Sequence, residues 1–277
     1  YTFMQEQIIS EKQDLTWLSW SHIRNSSGTA GSFLKAYSEL GGTKTYYKLS
    51  HYDSVRGVIG HECANEIIVD RLLTILGIEH LSYQLIHADI LIQGTPCETW
   101  LCASQNFKQR GESKLALDAY YQAEQLPDEK PLDFCIRKGW KDYIWQMLVV
   151  DYLILNRDRH GANIEVLRNS RKRSIRLAPL FDHGISLIFS CLSKEAVSRV
   201  NALEDKPVQC FVGSHSAAEN LKLIPAAERP RLNPLHESDR SVLFEGLAPV
   251  LPKEWQDKIW EMIWKRWCAY EDLCNKG

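Results

Sequence analysis

No run of apolar residues in this sequence approaches the roughly 20 that a membrane-crossing helix needs. The longest, Met147 to Leu155, is broken by Asp151, and no membrane association is expected. A surplus of either charge is also lacking: 33 Lys plus Arg against 35 Asp plus Glu leave a net charge of −2. That excludes the overall positive field that would hold nucleic acid by its phosphates, so direct nucleic-acid binding is not expected. The eight cysteines include no Cys-x-x-Cys pair, which argues against a zinc site of the usual spacing and against a small disulfide scaffold. They read as reduced thiols in a cytoplasm. The chain opens Tyr1-Thr2-Phe3 without a basic-then-apolar leader, so no export signal is expected either.

What the sequence has is enough apolar material for a core. At 277 residues and 44% hydrophobic content, one large core or two packed lobes can be buried. Residues 15 to 50 carry short, partly alternating apolar segments broken by Ser26-Ser27-Gly28-Thr29-Ala30-Gly31-Ser32 and by Gly41-Gly42, the pattern of strands joined by turns. Tyr46 to Leu49 reads as one such strand. From His61 the spacing becomes helical, through Ala64, Ile67, Ile68, Leu72, Ile75 and Leu76, with Gly77 as the C-terminal cap. Two more strands are expected at Tyr83–Ile92 and Thr99–Ala103, separated by Gly94-Thr95-Pro96.

Beyond residue 106 the pattern is mainly helical. Trp140, Tyr143, Ile144, Met147, Leu148, Asp151, Tyr152 and Leu155 predict one face of a four-turn helix. It runs into the polar segment 156–163, followed by a hairpin whose strands are Ile164–Leu167 and Ile175–Phe181. The turn between them carries Arg168, Arg171, Lys172, Arg173 and Arg176, read as a solvated tip rather than a docking site. Trp255, Ile259, Met262, Ile263 and Trp267 predict a final amphipathic helix packed on the core.

The chemistry concentrates in Asp158, Asn163 and Asp182. Phosphoryl transfer asks for metal ligands and a polarised acceptor hydroxyl more than for covalent chemistry. Magnesium takes oxygen ligands and is commonly held by one or two protein groups plus phosphates, a demand that Asn163 and Asp182 meet. Asp158 and Asn163 are five residues apart, the catalytic-loop spacing of protein kinases. Here, however, Arg159 and His160 follow the Asp instead of preceding it. Nineteen residues separate Asn163 from Asp182, enough for one hairpin that returns both to the same end.

Asp158-Arg159-His160-Gly161-Ala162-Asn163 resembles the loop of HipA-like kinases and of phosphatidylinositol kinases. Ala178-Pro179-Leu180-Phe181-Asp182-His183-Gly184 resembles the metal-binding segment of HipA-like proteins, and Asn65-Glu66-Ile67 to Leu76-Gly77-Ile78 resembles their small-lobe helix. The resemblance implies an α+β, two-lobed kinase fold, with a β-rich N-lobe over residues 1–105 and a mainly helical C-lobe over 106–277. It implies ATP and Mg²⁺ as cofactors and Ser/Thr phosphorylation of a protein substrate. Asp158 and His160 are then the catalytic candidates. Lys48 would meet the α- and β-phosphates, with Glu66, or Glu62 one turn away, holding its ammonium. Ser27, Gly28 and Gly31 belong to a degenerate phosphate-covering turn. Autophosphorylation of a loop serine is a property of this family, and Ser26, Ser27 and Ser32 are the candidates. HipA itself has an additional N-terminal subdomain and works with a small DNA-binding antitoxin. This shorter chain reads as the compact form, which weakens the carry-over of an antitoxin-like partner. A small-molecule or lipid-head-group kinase, or an inert nucleotide-binding scaffold, are the alternatives.

Overall fold

The computed structural model describes residues 6–21 and 33–276. The turn carrying Ser26, Ser27, Gly28, Gly31 and Ser32 lies outside the described residues.

The first half of the chain is organised around a twisted sheet. Strand β1 (Ile8–Asp14) is followed by a hairpin of β2 (Lys35–Leu40) and β3 (Thr43–Lys48). That hairpin turns on Gly41 and Gly42, at φ +58° and +80°, the paired left-handed residues that a two-residue loop requires. A small ribbon, β4 (Tyr52–Asp53) and β5 (Gly57–Val58), leads into helix α1 (Glu62–Leu76). The long hairpin of β6 (Tyr83–Ile92) and β7 (Thr95–Gln105) completes the sheet, in the order β1-β6-β7-β3-β2. Its turn is Gln93-Gly94, one residue earlier than the sequence predicts, and β7 accordingly starts at Thr95 instead of Thr99. Strand β1 escaped the sequence reading because only Ile8 and Ile9 in it are apolar; it is held by parallel pairing to β6.

The two faces of β6 have different tasks. Tyr83 and Leu85 point into the main core with α1, whereas Ile86, Ala88, Ile90 and Ile92 build a second cluster with Leu34, Leu49 and Leu101. This alternation puts α1 against the end of the sheet that carries Lys48.

The second half begins with β8 (Ser113–Ala116), α2 (Leu117–Glu124), α3 (Pro131–Arg137) and α4 (Lys141–Ile154). Helix α4 is not amphipathic in the expected way. Residues on all its sides are buried, including Trp145, Val149, Val150 and Leu153 outside the predicted stripe, because other elements surround it. It leads through β9 (Asp158–Arg159) and a 3-10 turn at Gly161–Asn163 into the predicted hairpin, β10 (Glu165–Asn169) and β11 (Ser174–Leu177). Arg168, Arg171, Lys172 and Arg173 are exposed at its tip. Arg176 is not part of that tip, since its guanidinium pairs with Glu112 at 2.8 Å.

The remaining elements are α5 (Lys194–Ser198), β12 (Gln209–Cys210), α6 (Ala217–Leu221), α7 (Arg240–Phe244) and α8 (Lys253–Asn275). Trp255, Ile259, Met262, Ile263 and Trp267 are buried along α8, as the spacing predicts. Among the described residues no helix is long and apolar enough to cross a membrane.

Helix α1 ends as predicted, on Gly77 at φ +74°; the N–H of Gly77 donates to Thr74 O and that of Ile78 to Leu73 O. A Cβ at position 77 would meet the Asn233 amide at 2.7 Å. Gly77→Ala should therefore lower stability by at least about 1 kcal/mol, read as a reduced urea midpoint with an unchanged slope.

Candidate active site

Lys48 is the last residue of β3, and its ammonium reaches two carboxylates from different parts of the chain. Its Nζ lies 2.7 Å from Glu66 Oε1 on α1 and 2.6 Å from Asp182 Oδ1 in the segment after β11. Glu66, rather than Glu62, is thus the helix partner. Glu62 is turned the other way, its Oε2 accepting from the His51 N–H at 2.9 Å. The second oxygen of Glu66 accepts from the His183 N–H at 3.0 Å, and Tyr83 Oη accepts from the Asp182 N–H at 3.1 Å. These contacts hold Asp182 in a left-handed backbone conformation, φ +59°, which is uncommon outside glycine.

Burial opposes charge on all three groups. For Lys48 the carboxylates of Asp182 and Glu66 outweigh it and hold the ammonium well above its ordinary pKa. For Asp182 the positive charges of Lys48 and Lys35 outweigh it, keeping the carboxyl far below the usual range. Glu66 is the most enclosed, and there burial prevails over Lys48 and pushes the carboxyl up. With both carboxylates ionised, the trio carries one excess negative charge. A cation beside Asp182 would offset it.

A second set of residues follows α4. The Asn163 amide donates to Asp158 O at 2.7 Å and approaches Asp158 Oδ2 at 3.4 Å, which leaves its Oδ1 to accept or to ligate. His160 Nδ1 accepts from the Ala162 N–H, and its Nε2 lies 3.5 Å from Asp158 Oδ1. Burial raises the Asp158 carboxyl above the ordinary aspartate value, with His160 acting in the opposite direction. Gly161 lets the loop pass close to α2: a Cβ there would lie 2.5 Å from Asp118 Cβ.

Arg159 connects the two sets. It is fully buried, pairs through Nε and Nη2 with Asp151 on α4 at 2.9 Å each, and donates from Nη1 to Asn163 O and Phe181 O. Backbone bonds complete the connection, from Arg157 N to Ile185 O and from Leu187 N to Ile154 O. Strand β12 runs parallel to β9, so Phe211 N reaches Arg159 O. The sequence reading missed Tyr83, Asp151 and Arg159 as site residues. A carboxylate inside the apolar run of α4 was the available signal, since such a group needs a partner.

The structure therefore gathers Lys48, Glu66 and Asp182 into one hydrogen-bonded set and Asp158, His160 and Asn163 into another. Lys48 and Asp182 line a cleft of about 380 Å³, together with Tyr83, Phe107, Lys114 and Phe181; Asp158 and Asn163 are not in its lining. No cluster of three or more His, Cys, Asp or Glu residues suited to a metal occurs among the described residues. Magnesium keeps much of its water and asks for only one or two protein oxygens, a demand that the Asp182 carboxylate and the Asn163 amide oxygen fit by type.

Two consequences are measurable. Arg159→Met leaves the Asp151 carboxylate buried without its counter-ion and should cost about 3–5 kcal/mol. Adding Asp151→Leu should recover part of that loss in denaturant titrations. Burial also holds His61 down at about 4, below its unfolded value of 6.5, so the unfolded chain takes up the extra proton between these limits. The stability His61 contributes is fully present above pH 6.5 and is lost as pH falls toward 4, on the order of 3 kcal/mol. His61→Phe should flatten the dependence of the unfolding midpoint on pH in that window.

Comparison with known proteins bears on the fold. No family model matches the chain. A stretch of 59 residues is 41% identical to the serine/threonine-protein kinase CtkA of Helicobacter pylori, covering 21% of this chain and 17% of that protein. The sequence match thus spans less than a fifth of that relative. The crystal structure of the H. pylori proinflammatory kinase CtkA superposes with a TM-score of 0.65 at 15% identity, over 96% of this chain and 97% of that one. HipA of Shewanella oneidensis, solved with HipB and operator DNA, gives a TM-score of 0.45 at 14% identity over 90% of this chain and 59% of that one, too slight a likeness to bear on the fold. In fold, then, this chain has the two-lobed α+β architecture of the CtkA structure, the one that its HipA-like motifs led one to expect.

Proposed function

We propose that the chain is an ATP- and magnesium-dependent serine/threonine protein kinase of the HipA-like type. The observation that carries this reading is the Lys48 ammonium held between Glu66 on the helix and Asp182 at the cleft, with Asp158 and Asn163 on a loop tied to the Asp182 segment through Arg159. The similarity to a named serine/threonine kinase supports it.

In this reading the lobes divide near residue 105, and the cleft between β3, β7 and the C-terminal half receives the nucleotide. Lys48 meets the α- and β-phosphates, Glu66 fixes its position, and the phosphates compete with Asp182 for the ammonium. Asp182 and Asn163 would hold Mg²⁺, which would neutralise charge on the phosphate oxygens. Asp158 accepts the proton of the acceptor hydroxyl, and His160, 3.5 Å from it, modulates that carboxylate. Because Asp158 must be ionised and burial raises its pKa, the acid limb of the rate profile lies above that of an exposed aspartate. The reading extends to a cytoplasmic location, to a protein substrate, to autophosphorylation at Ser26, Ser27 or Ser32, and to a small antitoxin-like partner.

Incubation with labelled ATP, Mg²⁺ and a generic basic protein should transfer label to protein. Asp158→Asn should lower the rate by about 10²–10⁴-fold while leaving the circular dichroism spectrum unchanged. Transfer at the wild-type rate by Asp158→Asn, or ATP consumption with label appearing only in a small molecule, would overturn the assignment. Mass spectrometry of the same sample locates any phosphate on the three loop serines.

A further inference from the structure

Two cysteines that this reaction does not use lie directly behind Lys48. Cys63 sits in the first turn of α1 and Cys102 in β7, opposite Lys48 in the strand pairing; both are buried. The Cys63 thiol donates to Lys48 O at 3.2 Å, and the Cys102 thiol approaches the same oxygen at 3.7 Å. The two sulfurs thus converge on one backbone oxygen. Cys102 lines the 380 Å³ cleft, which gives a small oxidant a route to the pair. Among the described residues no other two of the eight cysteines share an acceptor in this way.

We propose that Cys63 and Cys102 form a thiol–disulfide pair, a modification site at which a hydroperoxide joins α1 to the sheet across the Lys48 carbonyl. One thiol, as its thiolate, attacks one peroxide oxygen, the O–O bond breaks, and a sulfenic acid forms as the other oxygen leaves and takes up a proton. The second sulfur then attacks the sulfenyl sulfur, the S–O bond breaks, and the departing hydroxide takes the second thiol's proton as water. With hydrogen peroxide, two thiols lose two hydrogens in total and the oxidant becomes two waters.

The bond acts on the turn of α1 that carries Glu66, three residues further on, and it removes two S–H groups from Lys48 O. Its detection needs no kinase activity, so it stands or falls apart from the proposed reaction. The full chain is treated with hydrogen peroxide, alkylated in denaturant, digested and mapped by mass. A peptide pair linked Cys63–Cys102, about 2 Da lighter than its two reduced halves and abolished by dithiothreitol, is the expected product. Of Cys102→Ser and Cys63→Ser, the variant that keeps the attacking sulfur should hold its sulfenic acid and react with dimedone. Recovery of both cysteines as free thiols at a dose that oxidises the exposed Cys274 would overturn the proposal, as would linkage of either to another cysteine.

Discussion

A lysine side chain only 11% exposed is not left without counter-charge in a folded protein, and most of the site's geometry descends from that constraint. Lys48 draws Glu66 from a helix 18 residues downstream and Asp182 from a segment 134 residues downstream. Each carboxylate is then engaged further, Glu66 by the His183 N–H and the Asp182 backbone by Tyr83. One ammonium thereby ties the sheet, α1 and the second half of the chain to a common point at the cleft.

Arg159 has the same role on the other side. Its guanidinium is wholly enclosed, and a planar fork with several donors can satisfy Asp151, Asn163 O and Phe181 O at once, which a lysine could not. Buried ion pairs of this kind contribute little net stability compared with apolar packing. What they supply is position: the Asp158 loop and the Asp182 segment cannot slide past each other without breaking charged hydrogen bonds in a medium of low dielectric. The left-handed backbone at Leu155, Asp182 and Leu187 fits this picture, because such conformations persist only where surrounding contacts over-determine them.

Much of the local architecture was readable in advance. The Gly41-Gly42 turn, the helix ending at Gly77 and the hairpin between Asn163 and Asp182 all rest on signals spanning a few residues. Errors arose where distant contacts decided. Strand β1 has too few apolar residues to announce itself and exists through its parallel pairing with β6. The stripe read on α4 was real, but neighbours from several elements bury its other sides as well. Between Ser186 and α8 no motif signal announces β12, although it supports the backbone of Asp158 and Arg159.

By itself the sequence determined which side chains are candidates for the chemistry and in what order they come, because motif spacing and turn chemistry depend on neighbours in the chain. It could not choose between Glu62 and Glu66, which are one helical turn apart and chemically alike. Only the tertiary structure made that choice, turning Glu66 toward Lys48 and Glu62 toward the His51 backbone. The same holds for Arg159, whose role is set by three partners that come together only when the chain has closed around it.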